Sequence, residues 1–555
     1  MIGLVTATAA GRTSASALEA SWGDARSYPV ADLAIAWGEC DALVCFLAIG
    51  ATVRLIAPLL ADKQTDPGVV CVDEAARFAV AVVGGHHGAN GLAERVAETL
   101  GAAAVITTAT DSAGIPGLDT LGWPYEGEVA AVSRALLDGD PVTLWNGGRT
   151  WPLPAIAADD VAERPEAGPT ILITDRTDLP RPLPSVLLRP PSLTIGVGAS
   201  RGVRAEEVLE LIRSTLADAN LSAACIRELA TVEAKAAEAG LLAAAEALDV
   251  PLTLHGAAVL AAIDVPNPSE VVRAAVDTPS VAEAAALAGG GDLLVAKRKS
   301  TMATVAVARR EPRGRLAIVG IGPGDRELLT PRARAELRRS SVVVGLDQYV
   351  SQVADLLRLG TRVLATGLGS EQERAESAVE FARSGHAVAL IGSGDAGIYA
   401  MASPALEAAD DSFDVIGTPG VTAMLAAAAL LGAPLGHDHA AISLSDLHTP
   451  WEIIERRVTA AAQGDFVVAF YNPRSRGREW QLGKCLAILA SHRPADTPVG
   501  VVSDASRPGQ RVALSTLADV DPQTVGMTSL VIVGAASSRV VAGRFVTPRG
   551  YTWRQ

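Results

Sequence analysis

Four junctions in the C-terminal part of the chain combine an apolar run with a turn able to hold a polar small molecule. Leu316 to Val319 runs into Gly320-Ile321-Gly322-Pro323-Gly324-Asp325. Val388 to Ile391 leads to Gly392-Ser393-Gly394-Asp395-Ala396-Gly397-Ile398-Tyr399. Val415-Ile416 leads to Thr418-Pro419-Gly420-Val421-Thr422-Ala423, and Phe466 to Phe470 leads to Tyr471-Asn472-Pro473. Glycines in such turns let backbone approach a ligand closely and expose N–H donors at a helix start. A dinucleotide fingerprint would need Gly where Asp325 stands, and the Gly-Lys-Ser/Thr of a Walker loop is absent. Asp395 either orients the polar end of a cofactor or caps the following helix. Arg474, Arg476 and Arg478 either clamp carboxylates or form a solvated face. His437-Asp438-His439 offers two imidazoles with no third ligand in place, so a loop or hinge is expected there and no metal site. In the N-terminal half, Gly198-Ala199-Ser200-Arg201-Gly202 formally fits a nucleophile elbow, yet no Asp and His partners can be assigned to it.

These turns need a scaffold, and the 555 residues supply one of about three or four domains. Short apolar runs (Ala42 to Phe46, Val69 to Val72, Phe78 to Val83, Val105 to Thr108) alternate with Ala-rich amphipathic stretches, the pattern of a multidomain α/β protein. The net charge of -15 opposes a nucleic-acid role, although arginines gathered locally can still hold a polyanionic small molecule. Five cysteines without CxxC spacing suit reduced thiols in a core. No apolar run reaches about 18 residues, so no membrane span is expected. Met1-Ile2-Gly3-Leu4-Val5-Thr6 reads as a first buried strand rather than a signal peptide, and the expected compartment is the cytoplasm. The Pro-rich stretch from Leu179 to Ser192 and the charged stretch from Arg309 to Arg315 break the α/β alternation and are expected to be linkers.

In their order and spacing the four turns resemble the tetrapyrrole (precorrin) methyltransferase family over residues 314 to 551. Phe470-Tyr471-Asn472-Pro473-Arg474-Ser475, Ser443-Leu444-Ser445-Asp446 and Val502-Ser503-Asp504-Ala505 are most similar to its precorrin-3B C17-methyltransferase branch, whose members also contract the ring. The resemblance implies a two-lobed fold, lobes 314–435 and 436–555, with the break near Pro434 to Asp438. It also implies S-adenosylmethionine in the cleft against Pro323, Ser393, Gly394, Asp395, Ile398, Thr422, Ala423, Asn472 and Ala505. Gly322, Gly324, Asp325, Arg474 and Arg476 would meet the tetrapyrrole substrate. Ala396 replaces the Pro common in the family, and the residue at 472 is apolar in some relatives. Methyl transfer of this kind asks the protein for alignment and exclusion of water rather than for a nucleophile. The family commonly forms homodimers.

The N-terminal half resembles the cobalt-precorrin-5A hydrolase family. The resemblance runs through Phe46 to Arg54, Ala57 to Pro67, Val72-Asp73-Glu74, Gly84-Gly85-His86-His87-Gly88-Ala89-Asn90 and Val105 to Asp111. It continues in Gly196-Val197-Gly198-Ala199-Ser200-Arg201-Gly202 and Lys297-Arg298-Lys299-Ser300-Thr301. It implies α/β domains at 1–120 and 193–308 with a middle region and Pro-rich linker at 121–192, and an activity that opens a lactone and expels acetaldehyde. Lactone opening wants a base and oxyanion donors. His86 is the candidate base with Lys63 and Asp111 near it, or else a turn histidine bonded to backbone; Gly84 and His87 depart from the family's usual residues. Lys297, Arg298 and Lys299 either bind carboxylates or are solvated. The alternative for this half is a non-catalytic corrinoid-holding module, and for the C-terminal half another S-adenosylmethionine enzyme of the same fold.

Overall fold

A computed structural model describes the chain apart from residues 63–64, 271–272, 274–277, 476 and 551–555 and the side chains of 86–87. The chain divides into two compact units. The first comprises Met1–Thr150, Ala155–Pro312 and Arg358–Gly360, the second Trp151–Pro154, Arg313–Leu357 and Thr361–Gln555. Among the described residues no helix is long and apolar enough to cross a membrane.

The first unit carries three sheets in chain order. Strands β1 (Ile2–Thr6), β2 (Ala25–Pro29), β3 (Ala42–Phe46), β4 (Gly68–Val72), β5 (Phe78–Val83) and β6 (Ala103–Val105) form a sheet ordered β2-β1-β3-β4-β5-β6. Helices cover both faces, which is why β3 and β4 are apolar at nearly every position. Only the β4–β5 pair is antiparallel, with Val69 opposite Val83. The segments before β4, after β5 and after β6 therefore meet at one end of the sheet. The last of these, expected as strand from 105 to 108, leaves the ladder at Val105 and turns into a short helix at Ala109–Ser112.

The next sheet lies where a middle region ending in a linker was expected. It is built from β7 (Tyr125–Gly127), β8 (Thr143–Trp145), β9 (Asp159–Asp160), β10 (Thr170–Ile173) and β11 (Ser185–Leu188), in the order β7-β11-β10-β8-β9. Strand β11 falls inside the Pro-rich stretch and is wholly buried. Prolines 180, 182, 184, 190 and 191 flank its four residues without interrupting them, so every ladder N–H is present. Arg189, almost fully buried, anchors the strand end by donating to the Glu126 carboxylate (2.7 Å) and to the carbonyls of Thr174 and Arg176.

Strands β12 (Leu193–Ala199), β13 (Ile226–Val232), β14 (Leu252–His255), β15 (Asp292–Lys299) and β16 (Ala303–Arg309) make the third sheet, ordered β14-β13-β12-β16-β15, over the span expected for a compact domain. A Cβ on Gly196 would lie 1.9 Å from the carbonyl of Ala282, so glycine here admits the Ala-rich helix Val281–Leu287. Arg309 closes this sheet onto the middle one through a two-pronged bond to Asp175 (2.6 and 2.7 Å), so the charged stretch expected as linker begins as half-buried, tied structure.

In the second unit, β17 (Arg315–Gly320), β18 (Val342–Leu346), β19 (Arg362–Thr366), β20 (Ala387–Gly392) and β21 (Asp414–Thr418) form an all-parallel sheet ordered β19-β18-β20-β17-β21 with apolar clusters on both faces. Strand β22 (Gly432–Ala433) follows. Strands β23 (His439–Ser443), β24 (Val467–Tyr471), β25 (Pro498–Ser503), β26 (Arg511–Thr516) and β27 (Ser529–Val533) give a mixed sheet ordered β23-β24-β27-β25-β26. Strands β28 (Arg539–Val541) and β29 (Arg544–Val546) pair beside β22. Helix Ala423–Leu431 packs its Ala426, Ala427 and Leu431 against Val467, Ala469, Val502 and Ile532 of the mixed sheet. The change of core thus falls between 419 and 422, ahead of the break expected at Pro434 to Asp438.

Candidate functional site

Parallel strands β17, β20 and β21 end side by side, and their turns emerge at the carboxyl edge where open α/β sheets bind ligands. The turns interlock through backbone. Gly322 and Gly394 exchange hydrogen bonds of 3.0 and 2.7 Å. Gly394 is left-handed (φ +67°), and a Cβ on Gly420 would lie 2.1 Å from the carbonyl oxygen of Gly394. Asp395 cross-ties the assembly, one carboxylate oxygen accepting from the Gly397 N–H (2.8 Å) and the other from the Gly420 N–H (3.0 Å). Its carboxylate is engaged by backbone and does not line the cavity described next.

A cavity of about 1230 Å³ opens between these turns and the loops of the mixed sheet. Of the nine residues expected at a cofactor, Pro323, Ser393, Gly394, Ile398, Thr422, Ala423, Asn472 and Ala505 all line it. They come from the four turns and the loop after β25, so folding gathers residues spread over 180 positions into one wall. The residues expected at the substrate fare differently. Gly322 is spent on the bridge to Gly394, Gly324 is covered by the side chain of Arg507, and Asp325 accepts from the Glu327 N–H (2.9 Å) as a local cap. Arg474 turns away from the cavity, donating to the Gln523 carbonyl (2.6 Å) and pairing with Glu479 (3.3 Å). Arg476 lies outside the described residues. Arg478 does line the cavity, but it holds the carbonyls of Leu444 and Asn472, both at 2.9 Å, and so braces the turn bearing Asn472. Ser475 and Arg478 bridge to each other rather than continuing β24.

Two tyrosines and an arginine complete the wall and were not singled out in the sequence. The Tyr471 hydroxyl lies 2.6 Å from the Thr422 hydroxyl and accepts from the Met424 N–H (3.1 Å), so it satisfies a free donor at the start of helix Ala423–Leu431. Tyr399 donates to the Ala441 carbonyl (2.8 Å), and the two rings sit 5.1 Å apart. Burial pushes both phenols above their ordinary range, so both stay protonated donors at neutral pH. Arg507 donates from Nε to the Pro323 carbonyl (2.6 Å) and from Nη2 to the Ser393 hydroxyl (2.8 Å). Tyr399, Asn472, Asp504 and Ser506, all lining the cavity or adjoining it, are left-handed without being glycine (φ +49° to +60°), a concentration of backbone strain typical of functional loops. Sequence carries only a faint signal for this, an aromatic at the end of an apolar run.

In the first unit, Gly84 (φ +72°) turns the chain into a π-helical stretch, Gly85–Ala89, ahead of helix Asn90–Leu100. Asp111 accepts from the Thr108 hydroxyl (2.7 Å) and from the Asn90 amide (2.8 Å), which also reaches the Thr108 hydroxyl (2.9 Å). Asn90 and Thr108 were not anticipated. Lys63 and the side chains of His86 and His87 lie outside the described residues. Lys297 donates to the Asn267 carbonyl (2.6 Å) and Arg298 pairs with Asp218 (3.4 Å). His437 is exposed and accepts the N–H of Asp438 (2.7 Å). Among the described residues no group of three His, Cys, Asp or Glu is placed to hold a metal.

Comparison with known proteins bears on both units. The family model for tetrapyrrole (corrin/porphyrin) methylases matches residues 315–521, that for the cobalamin synthesis G C-terminus matches 193–308, and that for its N-terminal part matches 32–111. A probable cobalt-factor III C(17)-methyltransferase of Salmonella typhimurium is 49% identical over 240 residues, covering 43% of this chain and 99% of that protein. A precorrin-3B C(17)-methyltransferase of a Sinorhizobium species is 40% identical over 234 residues, 41% of this chain and 91% of that protein. The crystal structure of the methyltransferase CobJ is 39% identical and covers 42% of this chain and 100% of that one, with a TM-score of 0.41. With an almost complete relative matched at this identity, and with cobalamin synthesis G domains ahead of the match, the chain is a fusion whose C-terminal part belongs to the tetrapyrrole (corrin/porphyrin) methylase family.

Proposed function

We propose that the second unit methylates C17 of precorrin-3B, or of its cobalt-bearing counterpart cobalt-factor III, using S-adenosylmethionine, with contraction of the macrocycle, in cobalamin biosynthesis. The observation carrying this reading is that eight residues expected at the cofactor share one cavity wall. The wall suits such a ligand. Gly394 offers backbone in a conformation that side chains rarely adopt, and Ile398, 42% exposed, presents an uncovered apolar face beside it. When bound, the cofactor supplies an electrophilic methyl group. The chain's own part is alignment: the cross-tied glycine turns fix one side of the cavity, while the Tyr471–Thr422 bond fixes the start of helix Ala423–Leu431 against the other. Incubating the full chain with S-adenosylmethionine and each substrate in parallel tests this by mass spectrometry. A product heavier by one methylene supports it, and unchanged mass with both substrates refutes it.

We infer that the first unit hydrolyses the lactone of cobalt-precorrin-5A, with Asp111, Thr108 and Asn90 as the described part of its site. Acetaldehyde release from that substrate is the assay. The same reading expects a homodimer, which light scattering reports.

A further inference from the structure

Four described arginines line the cavity of the second unit, and they differ in what neutralises them. Arg374 lies 3.6 Å from Glu371, and Arg478 lies 3.6 Å from Asp446. Arg457 stands exposed on helix Trp451–Gln463. Arg507 is half-buried and is held only by neutral acceptors, the Pro323 carbonyl and the Ser393 hydroxyl. Among the described residues no carboxylate lies within ion-pair distance of it. Its loop is built to hold it there. Asp504 and Ser506 are left-handed, Gln510 accepts the Ser506 N–H (2.8 Å), and the Arg507 N–H closes a turn on the Asp504 carbonyl (3.0 Å). The side chain then lies so close over Gly324 that a Cβ on that glycine would come 2.4 Å from its Cγ.

A guanidinium carries five N–H donors in a planar fork. The two bonds from Nε and Nη2 fix its orientation, and they leave both hydrogens of Nη1 and one of Nη2 unspent, the edge that grips a carboxylate with two parallel bonds. Neutral anchors fix the fork without cancelling its charge. A cation oriented in advance loses little freedom on binding, so its attraction goes to the ligand.

We propose that Arg507 is the carboxylate receptor of this cavity, the role expected from sequence for Arg474 and Arg476. The inference rests on the methyltransferase reading and names a specificity-determining residue for it. A carboxylate can come from the macrocycle's side chains or from the amino-acid end of the cofactor, and two titrations separate these sources. The full chain and its Arg507→Gln and Arg507→Lys variants are titrated with uroporphyrin III, a macrocycle bearing only carboxylate side chains, and separately with S-adenosylhomocysteine, each at several salt concentrations. Thermal unfolding of each variant is recorded alongside.

Arg507→Gln is expected to weaken one of the two ligands about tenfold or more, and to flatten the salt dependence of that ligand alone. Arg507→Lys should restore the salt dependence but only part of the affinity, because an ammonium lacks the fork. Loss confined to uroporphyrin assigns the receptor to the substrate, and loss confined to S-adenosylhomocysteine assigns it to the cofactor. Equal weakening of both ligands with the salt dependence intact would mean that Arg507 merely braces the turns, and would overturn the proposal. Unchanged binding in both arms overturns it too. If the wild-type chain binds neither ligand, the methyltransferase reading falls and takes this inference with it.

Discussion

The hydroxyl of Tyr471 serves two partners at once, the Thr422 hydroxyl and the Met424 N–H, in a half-buried position beside the cavity. Tyr471→Phe leaves that N–H without its acceptor, at a cost of about 1–3 kcal/mol. The expected result is a lower melting temperature together with weaker S-adenosylhomocysteine binding; a variant with unchanged melting would show that water replaces the hydroxyl. Cysteines act at this scale as well. All five are buried free thiols, and burial pushes Cys45 and Cys485 from 9.0 up to about 12. The native state therefore holds these protons more tightly than the unfolded chain does. Their contribution to stability is complete below pH 9 and is lost as pH rises from 9 toward 12. Urea midpoints should fall across that range, and less steeply in the Cys45→Ala, Cys485→Ala double variant. Which residues would share the cavity wall was largely legible here, because eight of those expected sit in short glycine-bearing turns and loops whose local conformation follows from sequence. The partners of arginines and tyrosines were not, since long side chains choose among neighbours brought from elsewhere.

At the scale of elements, the three turns after β17, β20 and β21 act as a single piece, because Gly320, Gly394 and Gly420 meet through backbone. Gly420→Ala places a methyl group 2.1 Å from the Gly394 carbonyl oxygen and 2.8 Å from Gly320. The turns must part, so ligand affinity should collapse together with a stability loss of about 1–3 kcal/mol. Retained S-adenosylhomocysteine affinity in calorimetry would show that the turns move independently. Strand β11 makes the converse point about reading elements from composition. Proline density argued for a linker from Leu179 to Ser192, yet the four proline-free residues Ser185 to Leu188 are the ones the sheet uses. Apolar runs elsewhere match the strands to within a residue or two, as in β3 and β20, because strands covered on both faces must be apolar throughout.

At the scale of the whole molecule, the chain comprises two compact units with separate apolar clusters. A ligand that binds only the native second unit stabilises that unit by mass action, about 2.7 kcal/mol at a hundredfold excess over its Kd. Calorimetric unfolding should therefore resolve two transitions, of which S-adenosylhomocysteine raises one and leaves the other in place; a common shift of both would mean that the units unfold together. The sequence by itself determined the α/β class, the fusion of segments from two families and the glycine turns that line the cavity, since each of these is written in contiguous stretches whose local conformation follows from glycine, proline and apolar spacing. Only the tertiary structure decided that Asp395 ties turns together, that Arg474 faces away and that Arg507 faces the cavity. Arg507 lies 184 positions from Pro323 and 114 from Ser393. Such contacts depend on which loops the packed sheets bring opposite one another, and no local pattern encodes that choice.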